Sequence, residues 1–211
     1  MNVISLTFNA FQENTYILYD ASKECIIIDP GCSNNQEEQI MIKAIEDNDL
    51  APGRVINTHC HIDHVFGNKF VADRYNLPLA SHRGEIPVLG AAPQIAQMYG
   101  LNVIPSPPIT QFLDEGDEVV FGHSKLKVLY TPGHSPASIS FYNEADKLLI
   151  AGDVLFQGSI GRTDLPGGNY DLLIEMIKTK FLNLPDEVIV YSGHGPSTNI
   201  GFERANNPFL T

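Results

Sequence analysis

Apolar residues recur along this chain with two periods, and the switch between them separates strands from helices. "VISLTFN" and "NTYILYD" near the N-terminus predict two strands. "ECIIIDPG" is an apolar run closed by Pro30 and Gly31, the pattern of a buried strand. In residues 36–47, "QEEQIMIKAIED", Ile40, Ile42, Ala44 and Ile45 fall approximately on one helical face. "GRVINTH" predicts a strand, and a helix follows from about Asp63 to Tyr75. "IPSPPIT", residues 104–110, reads as a loop rather than a domain linker. Beyond it, "DEVVFGHSKLKVLYTPGH" predicts a hairpin turning at Gly122–Ser124, and "SISFYNEADKLLIAGD" another turning near Asn143–Asp146. "YDLLIEMIKTKFL" is an amphipathic helix and "DEVIVYSGHG" a last buried strand. Strands precede, accompany and follow the helices, which predicts an α/β fold. Its form is a four-layer αββα sandwich, two mixed sheets covered by helices, in a single domain over residues 1–211.

Composition narrows the partners. Twenty-five acidic against 13 basic residues give a formal charge of −12, which repels phosphate backbones and predicts no nucleic-acid partner. No apolar run reaches the roughly 20 residues that span a bilayer, so no membrane partner is expected. The N-terminal "MNVISLTFNAFQENTYILYD" has neither a basic leader nor a long apolar run. Cys25, Cys32 and Cys60 are an odd number without a CxxC pair, and imply no disulfide framework. A cytoplasmic protein is the expectation; its oligomeric state is not legible.

The seven histidines are unevenly spread, and three of them stand with an aspartate in "HCHIDH", residues 59–64. His59 and His61 alternate at the end of a strand, so extended backbone points both side chains one way. Asp63 and His64 follow where the chain turns into helix. Three further stretches repeat the arrangement: "TPGHSP" places His134, "IAGD" places Asp153 and "VIVYSGHG" places His194, each just past a strand end that leaves its sheet through glycine. Strand C-terminal ends are where sites gather in α/β proteins. Five histidines and two aspartates are too many donors for one tetrahedral ion and suit two ions sharing a carboxylate.

"THCHIDH", "TPGHSP", "AGD" and "SGHG", in that order between residues 58 and 195, resemble the metallo-β-lactamase superfamily and, within it, the glyoxalase II-like hydrolases. "GSIGRTDLPGG", residues 158–168, is similar to a substrate-side loop of the glyoxalase II and persulfide dioxygenase branches. The resemblance implies a binuclear centre. His59, His61 and His134 would hold one ion, Asp63, His64 and His194 the other, and Asp153 would bridge them. Two Zn²⁺ are implied, with iron or manganese as alternatives. It implies attack of a metal-bridging hydroxide on an acyl thioester such as S-lactoylglutathione, with Asp63 orienting the nucleophile and Arg162 binding substrate. Glyoxalase II proper adds a C-terminal helical domain that contacts glutathione; the 17 residues after His194 leave no room for it. Asp164 stands where that family has an aromatic residue. A mononuclear iron persulfide dioxygenase using His59, His134 and Asp153 is the enzymatic alternative, and a metal-binding module without turnover the remote one.

The other candidates have plainer readings. His82 is expected to be structural and His123 to be solvated in a hairpin turn. Cys60 should point away from the histidines that flank it and be buried, as should Cys32. Tyr16, Tyr142 and Tyr191 lie in strands and read as core. The acidic pairs at 114–115 and 117–118 mark a solvated turn rather than an acid/base dyad.

Overall fold

The structure, a computed structural model, describes residues 1–101 and 103–211. It contains two compact units, residues 1–113 with 120–125 and residues 114–119 with 126–211.

The first unit is built on a six-stranded sheet in chain order: β1 (Asn2–Phe8), β2 (Glu13–Tyr19), β3 (Glu24–Ile28), β4 (Ala51–Ile56), β5 (Leu79–Ser81) and β6 (Ile109–Phe112). β1, β2 and β3 pair antiparallel, whereas β3 through β6 run parallel. Parallel neighbours need crossovers. These are α1 (Asn35–Glu46), then α2 (Ile62–Val65) with α3 (Asn68–Tyr75), then α4 (Ile86–Met98). Ile17, Ile27, Met41, Ile45, Val55, Val71 and Leu79 share one core cluster.

Three elements depart from the expectation. The buried face of α1 is Met41, Ile42 and Ile45, one position round from the predicted stripe, and Ile40 is 45% exposed. The helix expected from Asp63 to Tyr75 is two helices, interrupted at Phe66–Gly67. There Gly67 N donates to Pro30 O at 2.7 Å, and a Cβ would strike Cys32 Sγ, so the close approach to the β3 end breaks the helix. α4 was not expected, because Gly90 and Pro93 both oppose a helix; Pro87 starts its first turn, and Ala92 and Ala96 are buried. The proline-rich stretch is irregular to Pro108, but Ile109 and Thr110 already belong to β6.

In the second unit the strands are β7 (Glu118–Phe121), β8 (Ser124–Tyr130), β9 (Ile139–Asn143) and β10 (Leu148–Gly152), a hairpin of β11 (Leu155–Phe156) and β12 (Ser159–Ile160), then β13 (Ile189–Ser192) and β14 (Thr198–Asn199). The sheet order is β14-β13-β10-β9-β8-β7, with β11 paired only to β12. β10 and β13 are parallel, joined across α5 (Tyr170–Met176) and one π turn over Ile177–Phe181. α6 (Ile200–Asn206) follows β14, its Asn199 cap accepting from Phe202 N. Leu149, Ala151, Leu173, Phe181, Val190 and Ile200 pack together. The tip of the β7–β8 hairpin counts with the first unit, where Asp20 accepts from His123 N at 2.7 Å and Ser124 Oγ at 2.8 Å.

Two mixed sheets with flanking helices are the α/β architecture that the sequence predicts. Among the described residues no helix is long and apolar enough to cross a membrane.

Gly133, beside His134, has φ +132, and an added Cβ would lie 2.5 Å from the backbone nitrogen of Leu173 in α5. Gly133→Ala is therefore expected to destabilise the fold by about 2–4 kcal/mol, combining backbone strain with a backbone clash. Gly100, φ +71, faces open space, so Gly100→Ala should cost only about 1 kcal/mol. Urea unfolding of both variants checks this; equal losses would remove the clash with α5 from the account.

Candidate metal centre

In the first unit the donors sit on the segment that leaves β4. His59 is fully buried, His61 half-buried, and Asp63 and His64 open α2. The His59 ring lies 4.1 Å from that of His64 and 4.8 Å from that of His61, centroid to centroid. Asp63 Oδ2 is 3.7 Å from His64 Nε2. The segment is tied down along its length. Asn57 Nδ2 donates to His64 O, Cys60 N to Glu85 Oε2, Ser81 Oγ to Asn57 O, and Asn9 Nδ2 to Asp63 O.

Hydrogen-bond counting assigns the imidazole protons. Asp29, 1% exposed at the end of β3, accepts from Thr58 N at 2.7 Å on Oδ1 and from Thr58 Oγ1 at 2.6 Å on Oδ2. His64 Nδ1 lies 3.1 Å from the same Oδ2, a pure acceptor when ionised, so Nδ1 carries the proton. The single hydroxyl proton of Thr58 is given to Asp29, so the 3.0 Å contact between Thr58 Oγ1 and His59 Nδ1 requires that ring to donate as well. In the neutral rings both Nε2 atoms are thereby lone-pair donors, as metal ligands must be. Asp29, His59 and His64 have possible ligand atoms within 4.8 Å of one another. Both Asp29 oxygens are already taken by N–H and O–H donors, however, so it orients its neighbours rather than offering a free oxygen. Glu13, also fully buried, has its carboxyl pushed well above the usual range by burial, with His64 opposing.

The second unit brings three predicted donors together. Asp153 Oδ2 is 3.5 Å from His134 Nε2 and 3.5 Å from His194 Nε2, so one carboxylate oxygen is equidistant from two imidazole nitrogens. Asp153 follows β10 and His194 follows β13, its parallel neighbour, and Gly193 N donates to Gly152 O at 2.9 Å to hold the strand ends level. His134 Nδ1 lies 2.7 Å from Arg162 O, a pure acceptor, which again leaves Nε2 as the donor atom.

These sets fit a metal. Two ligands on one tetrahedral ion with bonds of about 2.0–2.2 Å stand about 3.3–3.6 Å apart, the separation found twice at Asp153. Neutral imidazole and carboxylate suit zinc and divalent iron alike.

Arg162 is placed differently. Its Nε and Nη2 each donate at 2.7 Å to Asp164, a bidentate pair whose side chains are 58% and 68% exposed. The guanidinium holds the Asp164 carboxyl down at about 2. Cys60 is fully buried, its thiol pushed well up by burial, and Cys32 is buried too. His82 caps a 3₁₀ turn, its Nδ1 accepting from Gly84 N. Tyr16 is core, but Tyr142 and Tyr191 are only half-buried. The acidic pairs are exposed, although Glu115 accepts from Tyr130 N and Lys180 Nζ.

Asp29, Thr58 and Glu85 were not singled out from the sequence. The signal for Asp29 was present: an aspartate ends an apolar strand in "IIIDPG", the position occupied by Asp153 in "IAGD".

The family model described as the metallo-beta-lactamase superfamily matches residues 8–194. The hydroxyacylglutathione hydrolase GloC of Haemophilus influenzae is 37% identical over 212 residues, covering 100% of this chain and 98% of its own. The BLEG-1 B3 metallo-beta-lactamase crystal structure superposes with a TM-score of 0.90 at 36% identity, over 100% of both chains. TTHA1623, solved in a di-iron-bound form, superposes with a TM-score of 0.88 at 35% identity, over 99% of this chain and 100% of that one. With most of its length matched by the family model and its buried donors at the strand ends, the chain belongs to the metallo-β-lactamase superfamily.

Proposed function

We propose that this protein is a binuclear metal-dependent hydrolase of acyl thioesters, S-lactoylglutathione among them. The observation that carries the reading is the single Asp153 oxygen set 3.5 Å from the Nε2 atoms of both His134 and His194. A carboxylate so placed is suited to be shared between two ions. In this reading His59, His61 and His134 would hold one ion, Asp63, His64 and His194 the other, and Asp153 would be shared between them. Full-length similarity to a hydroxyacylglutathione hydrolase supports the thioester as substrate. Zinc is the proposed metal; the di-iron-bound relative makes iron the first alternative.

Bound there, two divalent ions supply an acidified water near neutral pH and a Lewis acid for the acyl carbonyl. The chain's own residues prepare that chemistry. Asp29, Thr58 and the Arg162 carbonyl fix the tautomers of three neutral imidazoles, so that each presents its Nε2 lone pair. Asp63, 9% exposed, is the carboxylate proposed to orient the attacking nucleophile. A thiolate leaving group, with a pKa of about 8.5, departs without a dedicated acid. Arg162 offers an exposed guanidinium fork to a carboxylate on the thiol carrier, in exchange for Asp164. Three cysteines without a disulfide suit a reducing, cytoplasmic setting.

Protein purified without added metal is expected to carry about two first-row ions per chain by elemental analysis, and Asp153→Ala to lose one or both. One iron per chain with no second ion would favour the dioxygenase.

Asp29→Asn puts an NH₂ where the carboxylate now accepts from three donors. Metal affinity should fall by about 10–100-fold, read by chelator competition. Unchanged affinity would show that Asp29 does not set the ligand tautomers.

S-lactoylglutathione should be turned over with a KM toward or above about 1 mM, because one exposed fork is a weak anchor. Arg162→Ala should raise KM for carboxylate-bearing thioesters while metal content stays intact. A micromolar KM unaffected by that substitution would place substrate recognition elsewhere.

A further inference from the structure

Helix α6 and the residue that caps its C-terminus, Asn207, send two buried side chains to the β11–β12 hairpin. Glu203 is fully buried, and its carboxylate accepts from Gly158 N at 3.0 and 3.2 Å. Thr198 Oγ1 donates to Oε1 at 2.5 Å and Asn207 Nδ2 to Oε2 at 2.7 Å. Asn207, also fully buried, donates from the same nitrogen to Ser159 O at 3.0 Å. A carboxylate taken out of water needs such a set of donors, and removing it would leave them unsatisfied in the interior. Glu203 and Asn207 thus fix the turn Gly158–Ser159 from below.

The chain from that turn leads to the metal ligand. β12 passes into Gly161, where a Cβ would collide with Asp153 O and lie 3.2 Å from His134 Cβ. The next residue is Arg162, whose carbonyl oxygen is 2.7 Å from His134 Nδ1. Only Ile160 and Gly161 separate the anchored turn from that carbonyl. They have little room to shift, since Gly161 is pressed against Asp153 and Ser192 Oγ holds Leu155 O at 2.6 Å at the hairpin's other strand. Wherever the turn sits, the Arg162 carbonyl follows, and with it the orientation and tautomer of His134.

We infer that Glu203 and Asn207 are positioning residues for the metal ligand His134, acting through the β11–β12 hairpin and the Arg162 carbonyl. The inference rests on the proposed reading of His134 as a ligand. α6 and its cap then have a role besides packing: their buried polar side chains set the geometry of an imidazole on a different element.

The test is a double-mutant cycle read as zinc affinity, by competition of the zinc-loaded protein against a chromophoric chelator, with thermal unfolding recorded alongside. Asn207→Ala and Glu203→Gln are each made in the parent and in His134→Ala. In the parent each should weaken zinc binding by roughly three- to tenfold, below the 10–100-fold of a side chain that touches the ligand directly. In His134→Ala neither should change the residual affinity, whatever it does to the unfolding temperature. Equal losses in both backgrounds, or none in the parent, would overturn the inference. If His134→Ala itself leaves zinc binding intact, the metal assignment fails and this inference with it. Should Glu203→Gln not fold, Asn207→Ala decides alone.

Discussion

An imidazole can bind a cation only through a lone pair, so its one proton has to be placed on the other nitrogen and kept there. In water that placement fluctuates. Here it is fixed by acceptors with no freedom of their own: the Asp29 carboxylate for His64, the Thr58 hydroxyl committed to Asp29 for His59, and the Arg162 carbonyl for His134. Asp29 can remain a buried acceptor because three donors replace its hydration. Its backbone is left-handed at φ +50, a conformation that aspartate tolerates better than most residues, and its own N–H bonds to Ile56 O on β4. The strained residue is therefore locked to the strand that launches the histidine segment.

That locking depends on sheet topology. β3 and β4 are parallel neighbours, so Asp29 and the segment from Asn57 leave the sheet at the same edge. β10 and β13 repeat the device, delivering Asp153 and His194 from adjacent parallel ends. An antiparallel pair would send consecutive strand ends to opposite edges. Each sheet thus uses one parallel pair to bring donors to a shared edge, while His134 comes from the connection of the antiparallel β8–β9 hairpin.

What the sequence made legible follows the same logic. A histidine or aspartate just past an apolar strand has few reasons to be there except a site, and that pattern singles out His134, Asp153 and His194, whose side chains the structure brings together around Asp153 Oδ2. Glu85 and Glu203 were not legible: a glutamate near or in a short helix usually faces solvent, and only tertiary packing turns these two inward, to Cys60 N and Gly158 N. α4 was hidden because Pro93 argues locally against the helix that its neighbours stabilise. The break at Gly67 was hidden for the opposite reason, since helical periodicity runs through it and only the Pro30 carbonyl, distant in sequence, interrupts.

Arg162 makes two contacts under different constraints, one through its backbone and one through its side chain. Its carbonyl oxygen holds His134, a contact that survives any change of side chain short of a shift in the loop. Its guanidinium pairs with Asp164 in solvent, where ion pairs contribute little to stability and exchange readily for another carboxylate. The backbone function is thereby insulated from the side-chain function. Substitution at positions 162 and 164 would alter an exposed ion pair, while the hairpin that carries the Arg162 carbonyl is held by the buried hydrogen bonds of Glu203 and Asn207.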